Sequence, residues 1–449
     1  MFEPSTLINL LLSTIASRPA AAEGMQAAMQ RAAEFPSLKQ AQLTGIALDP
    51  ASRAVADEVL DTYWADEARQ AELLLNAGDT REVIVGSGFH AATYAAIRVL
   101  SGFPKPLVLE RGNRVGGTFA MTASPTFYLN SRNRPGGAGL AGDQGTSLNY
   151  LPGAPIQAAN VSMAEYQTNT DMAFVIRLAL AQFADVVTDA EVIAVSGDER
   201  DVEIEIRDRR ALTARRVIDA RGMGDPVDQT AANGTSVLTF VQFMQRMARM
   251  WPLRGLRRVA VVGGGDSGKC AVESLLGIAP PPAMAAAALD HVDRVDWYSQ
   301  TLPNTCDEWQ EQVRGRYQAI GRYLRPDRFG VRRLTVLDRQ ARPVPLPTAA
   351  LIDGRTYDLV ILCTGNREVG IDGLAERSFS NYTTGDDIPV AGKHVFRPAY
   401  RVGPHAQLPF TGFDYVNGIA EIPANAVSMF RTATKTAALA ASLPGITEN

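Results

Sequence analysis

Short apolar runs that end in glycine-rich turns divide this chain. Residues 83–85 form one such run, and Gly86 and Gly88 follow it before a helix-like segment at 93–100. A second apolar run, at 259–262, leads into another glycine turn. A short apolar run bounded by turn residues is typical of a buried strand. The pattern therefore predicts two strand–turn–helix units in one chain.

The first turn has the glycine spacing of a dinucleotide-binding site. Gly86 permits the tight turn, Gly88 lets the backbone approach a pyrophosphate, and Ala91 takes the third small position. Leu107–Leu109 is the predicted second strand, and Glu110 follows it where a carboxylate can accept hydrogen bonds from ribose hydroxyls. The predicted site comprises Gly86, Ser87, Gly88, Phe89, His90, Ala91, Glu110, Arg111, Gly116, Gly117 and Thr118.

The second unit has a similar glycine turn, but its second strand does not end in a carboxylate. Its predicted turn residues are Gly263, Gly265, Asp266, Ser267 and Gly268. Its second strand ends at Ser299, without Asp or Glu, so no carboxylate is in place for the ribose diol of NAD. Ser299 and nearby arginines could instead accept a 2′-phosphate, which favours NADPH over NADH.

Two such units, with the extra glycine pair Gly116-Gly117, resemble the glutathione-reductase-like flavoproteins and, among them, the NAD(P)H-dependent flavin monooxygenases. The resemblance implies an α/β fold of two Rossmann-like domains, one for FAD and one for NAD(P), with the second inserted in the first. The α-helical N-terminal extension that completes the predicted fold is unusual for this class and rests on local apolar spacing. The predicted domains are the extension at 1–79, the FAD-binding domain at 80–235 and 356–449, and the NAD(P)-binding domain at 236–355.

Two closing elements of that family can be compared with this chain. Leu359–Leu362, followed by Thr364 and Gly365, matches the apolar strand and Thr-Gly that close the nucleotide domain. Before Gly222, where the family has the same threonine, this chain has Arg221, so that match is partial.

Candidates for catalytic roles come from the resemblance alone. The segment after the glycine pair passes close to the flavin ring in the family, often with an asparagine, and Asn130 is the candidate here. Arg132 and Arg134 are possible anchors for an acidic substrate or a nicotinamide phosphate, and the alternative is a surface loop with solvated arginines. Gly403 and His405 are expected near the flavin, and His405 is the second catalytic candidate.

The resemblance also implies that a final helix at 425–443 begins at the flavin pyrimidine. Many relatives carry Gly-Asp near the flavin ribityl chain, but here Pro404 follows Gly403. Disulfide reductases typically have that aspartate and many monooxygenases do not, so its absence favours the monooxygenases.

Two enzyme classes lose support from the sequence. The pair Trp251-Pro252 could end a Baeyer–Villiger fingerprint, but Phe243 and Met247 occupy its glycine and histidine positions. The three cysteines form no Cys-x-x-Cys pair, which counts against a redox-active disulfide enzyme, and Cys270 and Cys363 are predicted to be core residues.

Further elements follow from local patterns. Apolar residues at helical spacing from 55 to 64 predict a helical extension, either a cap on the FAD domain or an oligomer contact or lid. Residues 162–183 are predicted to form a helix with a capping box at Ser162, and 239–251 another. Residues 192–195, 202–207 and 217–218 are predicted strands of a β-meander.

Seven arginines between Arg314 and Arg333 predict a solvated helix face, with a phosphate or partner site as the alternative.

The expected activity is oxygenation of a small-molecule substrate by FAD, NAD(P)H and O₂ through a flavin C4a-(hydro)peroxide, with N- or S-oxygenation favoured. A reductase or oxidase without oxygen insertion, and a flavin-binding protein with a vestigial nucleotide site, are the alternatives.

A net charge of −4 argues against nucleic acid as a partner. The four histidines lack metal-ligand spacing, so no metal is predicted. The apolar run at 7–13 is too short for a membrane span, a cytoplasmic location is expected, and the extension could support a homodimer.

Overall fold

The computed structural model describes residues 50–77, 82–100, 102–132, 166–197, 202–222, 224–250, 253, 255–281, 292–313, 315–367, 369–374, 378–379, 399–401 and 440. Its helices are α1 (Pro50–Trp64), α2 (Glu67–Leu75), α3 (Phe89–Leu100), α4 (Asn169–Phe183), α5 (Phe240–Ala248), α6 (Asp266–Leu276) and α7 (Cys306–Gln312), with 3-10 helices at Gly117–Ala120, Gln229–Ala231 and Gly315–Leu324. No helix in these ranges combines the length and apolarity needed to cross a bilayer.

The first unit is built on a five-stranded parallel sheet. Its strands are β1 (Glu82–Val85), β2 (Leu107–Leu109), β5 (Asp185–Val187), β9 (Arg216–Asp219) and β21 (Ala399–Arg401), in the order β21-β9-β1-β2-β5. The strands β1 and β2 are buried along their whole length, as expected for a parallel sheet that is covered by helices. Helix α3 follows β1 directly after the first glycine turn.

The second unit repeats this design. Its parallel strands are β11 (Val237–Thr239), β12 (Arg258–Val262), β13 (Arg294–Tyr298), β14 (Leu334–Leu337) and β18 (Leu359–Leu362), in the order β11-β18-β12-β13-β14. Helix α6 follows β12 and ends at Gly277, whose left-handed conformation (φ 64°) caps it.

All strands of the second sheet lie between β9 and β21 of the first sheet along the chain. The chain leaves the first unit through β10 (Asp225–Pro226) and returns through β19 (Asn366–Arg367), and these two strands pair antiparallel. The second Rossmann-like unit is therefore inserted in the first, which confirms the predicted fold class.

Smaller antiparallel sheets complete the described structure. They comprise β3 (Tyr128–Arg132) with β4 (Tyr166–Thr168); β6 (Val192–Gly197), β7 (Val202–Ile206) and β8 (Leu212–Ala214); β15 (Val344–Pro345), β16 (Ala350–Ile352) and β17 (Arg355–Tyr357); and β20 (Ser378–Phe379) beside β19. The β-meander is confirmed for its first two strands. Residues 217–218 form a strand, as predicted, but their assignment to the meander was wrong, because they lie in β9 and pair in parallel with β1.

Helix α4 begins later than predicted. Its capping box is formed by Thr168 and Asp171, each accepting a hydrogen bond from the backbone N–H of the other, and 166–168 pair with β3 as a strand. Residues 162–165 lie outside the described residues. The pairing of 166–168 with β3 therefore places the start of the helix after Thr168.

The described part of the N-terminal extension belongs to the core of the first unit. Val59, Leu60 and Trp64 are buried there, in one cluster with α3 and α4. The fully buried guanidinium of Arg177 on α4 forms an ion pair with Asp61 of α1, 2.6 Å away. A helical extension was predicted, and over 50–75 it packs as a cap on this unit. Cys270 and Cys363 are buried, as predicted.

Candidate functional site

The first glycine turn is held tightly between neighbouring strands. Gly86 has φ 97°, and a Cβ atom there would lie 2.6 Å from the carbonyl oxygen of Ala220, just after β9. Only glycine fits this position without strain. Phe89 begins α3 and Ala91 is fully buried where that helix meets the sheet, so the N-terminus of the helix faces the turn. A helix N-terminus that follows a glycine turn in this way is suited to a phosphate group.

The second glycine pair lies directly against this turn. A Cβ atom on Gly117 would lie 2.8 Å from the Cα atom of Gly88, so this close approach of the two backbones requires glycine at position 117. The backbone N–H of Gly116 donates to the hydroxyl of Ser87 over 3.2 Å. The predicted residues of the turn and of the glycine pair are thus brought together, while Thr118 is exposed beside them.

Glu110 is fixed to the same turn. Its Oε2 atom accepts hydrogen bonds from the hydroxyl of Ser87 (2.6 Å) and from the backbone N–H of Ser87 (3.0 Å), and Oε1 accepts from the N–H of Gly112 (2.9 Å). A carboxylate offers about four acceptor positions, so it can still accept hydroxyl donors. Ser87 is buried and connects the turn, the carboxylate and the glycine pair.

Two other predicted residues of this site have contacts that the sequence did not indicate. Arg111 makes a bidentate ion pair with Asp225 on the crossing strand β10, with distances of 2.9 and 2.5 Å. The ring of His90 lies edge-on to Phe89, 5.4 Å between centroids. Burial lowers the pKa of His90 to about 4, so its imidazole is neutral at pH 7.

The glycines of the second turn are of two kinds: some are required by close packing, and one faces open space. Gly263 has φ 112°, and a Cβ atom there would clash with the carbonyl of Cys363, while one on Gly268 would clash with the carbonyl of Gly263. Gly265 is different: it is the residue before α6, and no atom lies within 4 Å of its Cβ position. The open face of the turn is therefore at Gly265, where a ligand phosphate would approach the helix N-terminus.

The turn also carries two charged side chains in its first helical turns. Asp266 and Ser267 begin α6, and the ammonium group of Lys269 lies 3.4 Å from the carboxylate of Asp266. This lysine offsets a negative charge that would otherwise oppose an anionic ligand at the helix N-terminus.

Ser299 lies directly behind this turn, at the carboxyl end of β13. A Cβ atom on Gly264 would clash with its hydroxyl, which accepts a hydrogen bond from the N–H of Thr301 (3.2 Å). The guanidinium of Arg339 lies 5.5 Å from the ring of Tyr298 and forms an ion pair with Asp353 (3.4 Å). The strand end thus has hydroxyls and one neighbouring cation in place of a carboxylate.

The two closing elements differ as their sequences do. Thr364 donates a 2.5 Å hydrogen bond to Asp228, and Gly365 has φ 103°. Arg221, at the position of the other threonine, forms a buried bidentate pair with Asp219 at 2.9 and 2.8 Å. Gly222 has φ 70° and no atom within 4 Å of its Cβ position.

Several predicted residues cannot be placed with these. Gly403, His405, Arg134 and the helix at 425–443, apart from helical Ala440, lie outside the described residues. Asn130 lies in β3, but its side chain is not among those described. Their roles stay predictions.

One arginine of the predicted solvated run was assigned wrongly. Arg322, Arg325 and Arg328 are exposed, but the side chain of Arg316 is only 10% exposed and pairs with Glu273 on α6 of the same unit. The local sequence gave no signal for this pair or for Arg111–Asp225, since both join residues far apart in the chain.

No protein-family model and no curated protein sequence matches the chain. Solved structures similar to it include a flavin-containing monooxygenase from Stenotrophomonas maltophilia, at 17% identity and TM-score 0.47, covering 81% of this chain and 98% of that one. A thioredoxin reductase from T. acidophilum is 16% identical with a TM-score of 0.46, and the match covers 81% of this chain and 97% of that one. An ornithine N-hydroxylase from Kutzneria sp. 744 is 18% identical with a TM-score of 0.43, and the match covers 65% of this chain and 82% of that one. Because these identities and TM-scores are low, we assign the fold from the strand order and the glycine turns of this chain itself.

Proposed function

We propose that the first unit binds FAD and the second binds NADPH. The observation that carries this proposal is the hydrogen-bonded group of Ser87, Glu110 and Gly116, which joins a phosphate turn, a ribose-type carboxylate and a second glycine pair. The cradle fits a dinucleotide, because glycines stand where a side chain would block backbone approach.

The second site would take a nicotinamide nucleotide on the open side of Gly265. A 2′-phosphate suits the hydroxyls of Ser299 and Thr301 and the nearby guanidinium of Arg339 better than a ribose diol does, since no carboxylate ends β13. NADPH is therefore the proposed reductant.

A bound flavin would supply the redox chemistry, which is to accept a hydride from NADPH and to pass two electrons to O₂. The chain's own residues bind and orient the two cofactors: the turn at Gly86–Gly88 and Glu110 hold one, and the turn at Gly263–Gly265 holds the other. We propose that one oxygen atom enters a nitrogen or sulfur nucleophile on a small molecule, in preference to Baeyer–Villiger oxygen insertion. The balance is NADPH, O₂, one proton and substrate giving NADP⁺, water and oxygenated substrate.

Isotope labelling in the presence of ¹⁸O₂ tests the oxygenation. The purified protein is given FAD, NADPH and a panel of sulfides and primary amines, and products are examined by mass spectrometry. We expect one ¹⁸O atom in an S- or N-oxygenated product, with NADPH consumed in proportion. NADPH oxidation that yields only hydrogen peroxide with every compound of the panel would instead identify an oxidase, the alternative reading of the same two sites.

A further inference from the structure

Arg316 is a buried cation at the junction of the two units. It belongs to the 3-10 helix Gly315–Leu324 of the second unit, and its side chain is only 10% exposed. Its guanidinium forms an ion pair with Glu273, which is 4% exposed and lies on α6, the helix that begins at the second glycine turn. The pair is therefore anchored on the helix that would face the nicotinamide nucleotide.

The same guanidinium reaches the strand that carries Asn130. Its Nη2 atom donates a 2.6 Å hydrogen bond to the carbonyl oxygen of Tyr128, and its carbon centre lies 5.6 Å from the centroid of the Tyr128 ring. Tyr128 is the first residue of β3, and Asn130 lies two positions further along it.

From β3 the connection continues into the first unit. Strand β3 pairs with β4, and the last residue of β4, Thr168, is the N-cap of α4. Helix α4 is buried in the core of the first unit, beside the helix of the first glycine turn. A continuous series of bonded elements thus runs from α6 through Glu273, Arg316 and Tyr128 to the first unit.

Two buried charges are an expensive way to hold two surfaces together. Replacing a buried ion pair with apolar side chains of the same volume is often neutral or stabilising, so the pair is weak evidence for stability, and fixing one geometry is the role that we test for it here. A guanidinium with bonds in two directions fixes distance and orientation better than an ammonium group does.

We propose that Arg316 and Glu273 are positioning residues that set the place of β3 relative to the second glycine turn, and so the distance over which hydride passes from NADPH to flavin. The proposal rests on the proposed function. Hydride transfer requires donor and acceptor atoms about 3–3.5 Å apart, and a displacement of about 1 Å can lower the rate about 100-fold.

The test is anaerobic stopped-flow reduction of the flavin by NADPH at pH 8, above the pKa of Glu273, with the full chain loaded with FAD. The variants are Arg316→Met, Arg316→Lys and Glu273→Gln. The control is Arg258→Met, because Arg258 also forms a fork with a buried carboxylate of the second unit, Asp296, but at the amino end of β12, away from the turn.

We expect the limiting reduction rate to fall about 10- to 100-fold in Arg316→Met and Glu273→Gln, and less in Arg316→Lys. The apparent dissociation constant of NADPH should change less than about threefold, and Arg258→Met should keep the wild-type limiting rate. If Arg316→Met does not fold, Glu273→Gln, which preserves the side-chain shape, carries the test.

Two results would overturn the positioning role while leaving the cofactor sites intact. One is a wild-type limiting rate in the folded variants of the pair. The other is an equal loss in Arg258→Met, which would show a general effect of removing an ion pair. If the wild-type flavin is not reduced by NADPH or NADH, the proposed function fails first, and the positioning role with it.

Discussion

The hydroxyl of Ser87 donates a 2.6 Å hydrogen bond to Glu110 and accepts one from the backbone N–H of Gly116, so the turn after β1 is bonded to both ends of the loop that follows β2. One buried hydroxyl thus holds the phosphate turn, the strand-end carboxylate and the glycine pair in register. Each partner would contact a different part of a bound dinucleotide, so their relative placement determines affinity.

Ser87→Ala is expected to weaken FAD binding about tenfold, since it removes two hydrogen bonds whose loss corresponds to about 1.4 kcal/mol. The measurement is a titration of flavin-free protein with FAD, followed by fluorescence. Thr93→Ala is the matched control, because the hydroxyl of Thr93 is equally buried but bonds only the carbonyl of Phe89 within its own helix. Equal affinities of the two variants would contradict the role of Ser87.

Gly265→Ala and Gly263→Ala should have opposite consequences. A methyl group at Gly265 meets no atom within 4 Å and the backbone there has φ −70°, so the variant should keep the wild-type melting temperature but bind NADPH at least tenfold more weakly. Gly263→Ala should lower the melting temperature by several degrees, since it combines a positive φ with a clash against the carbonyl of Cys363. Thermal unfolding and NADPH titration separate the two effects, and unchanged binding in Gly265→Ala would count against a nucleotide there.

Arg339→Ala is expected to raise the KM for NADPH about tenfold and to leave that for NADH nearly unchanged. The guanidinium near Tyr298 can pair with a 2′-phosphate, which NADH lacks. Arg342→Ala, an exchange of a neighbouring arginine, provides the control. A parallel change in both KM values would show that Arg339 does not read the 2′-phosphate.

The stability of the second unit should depend on pH through Glu273. Burial raises the pKa of this carboxyl to about 7, above its unfolded value, although Arg316 acts in the opposite direction. The folded state therefore binds more protons than the unfolded state between about pH 4.5 and 7, and the contribution of this group to stability falls as pH rises through that window.

Glu273→Gln removes this ionisation. The melting temperature of the wild type, measured relative to that of Glu273→Gln, is expected to fall by several degrees between pH 5 and pH 8. Melting curves of both proteins by circular dichroism give the difference directly. A difference that is constant over this range would mean that Glu273 titrates at its ordinary pKa.

Local sequence patterns were sufficient for the central strands β1, β2, β12, β13 and β18 and for the two turns, because an apolar strand, a glycine turn and a helix N-terminus are each encoded by neighbouring residues. They did not indicate β5, β11, β14 or β21. They were insufficient where the partner is remote: Arg111 pairs with Asp225 at 114 positions' separation, and Arg316 with Glu273 in another element. The start of α4 was misplaced for the same reason, since pairing of 166–168 with β3 overrides the capping-box spacing at Ser162. Asn130 and His405 stay predictions, as the structure does not describe their side chains.

Binding of FAD by the first unit and its reduction through the second are tested by anaerobic titration of the purified, FAD-supplemented protein with NADPH and, separately, NADH. We expect tight binding of one FAD and loss of its visible absorbance on addition of NADPH, at lower concentration than with NADH, followed by recovery of the absorbance in air. A protein that binds no flavin, or a bound flavin that neither nucleotide reduces, would contradict this expectation.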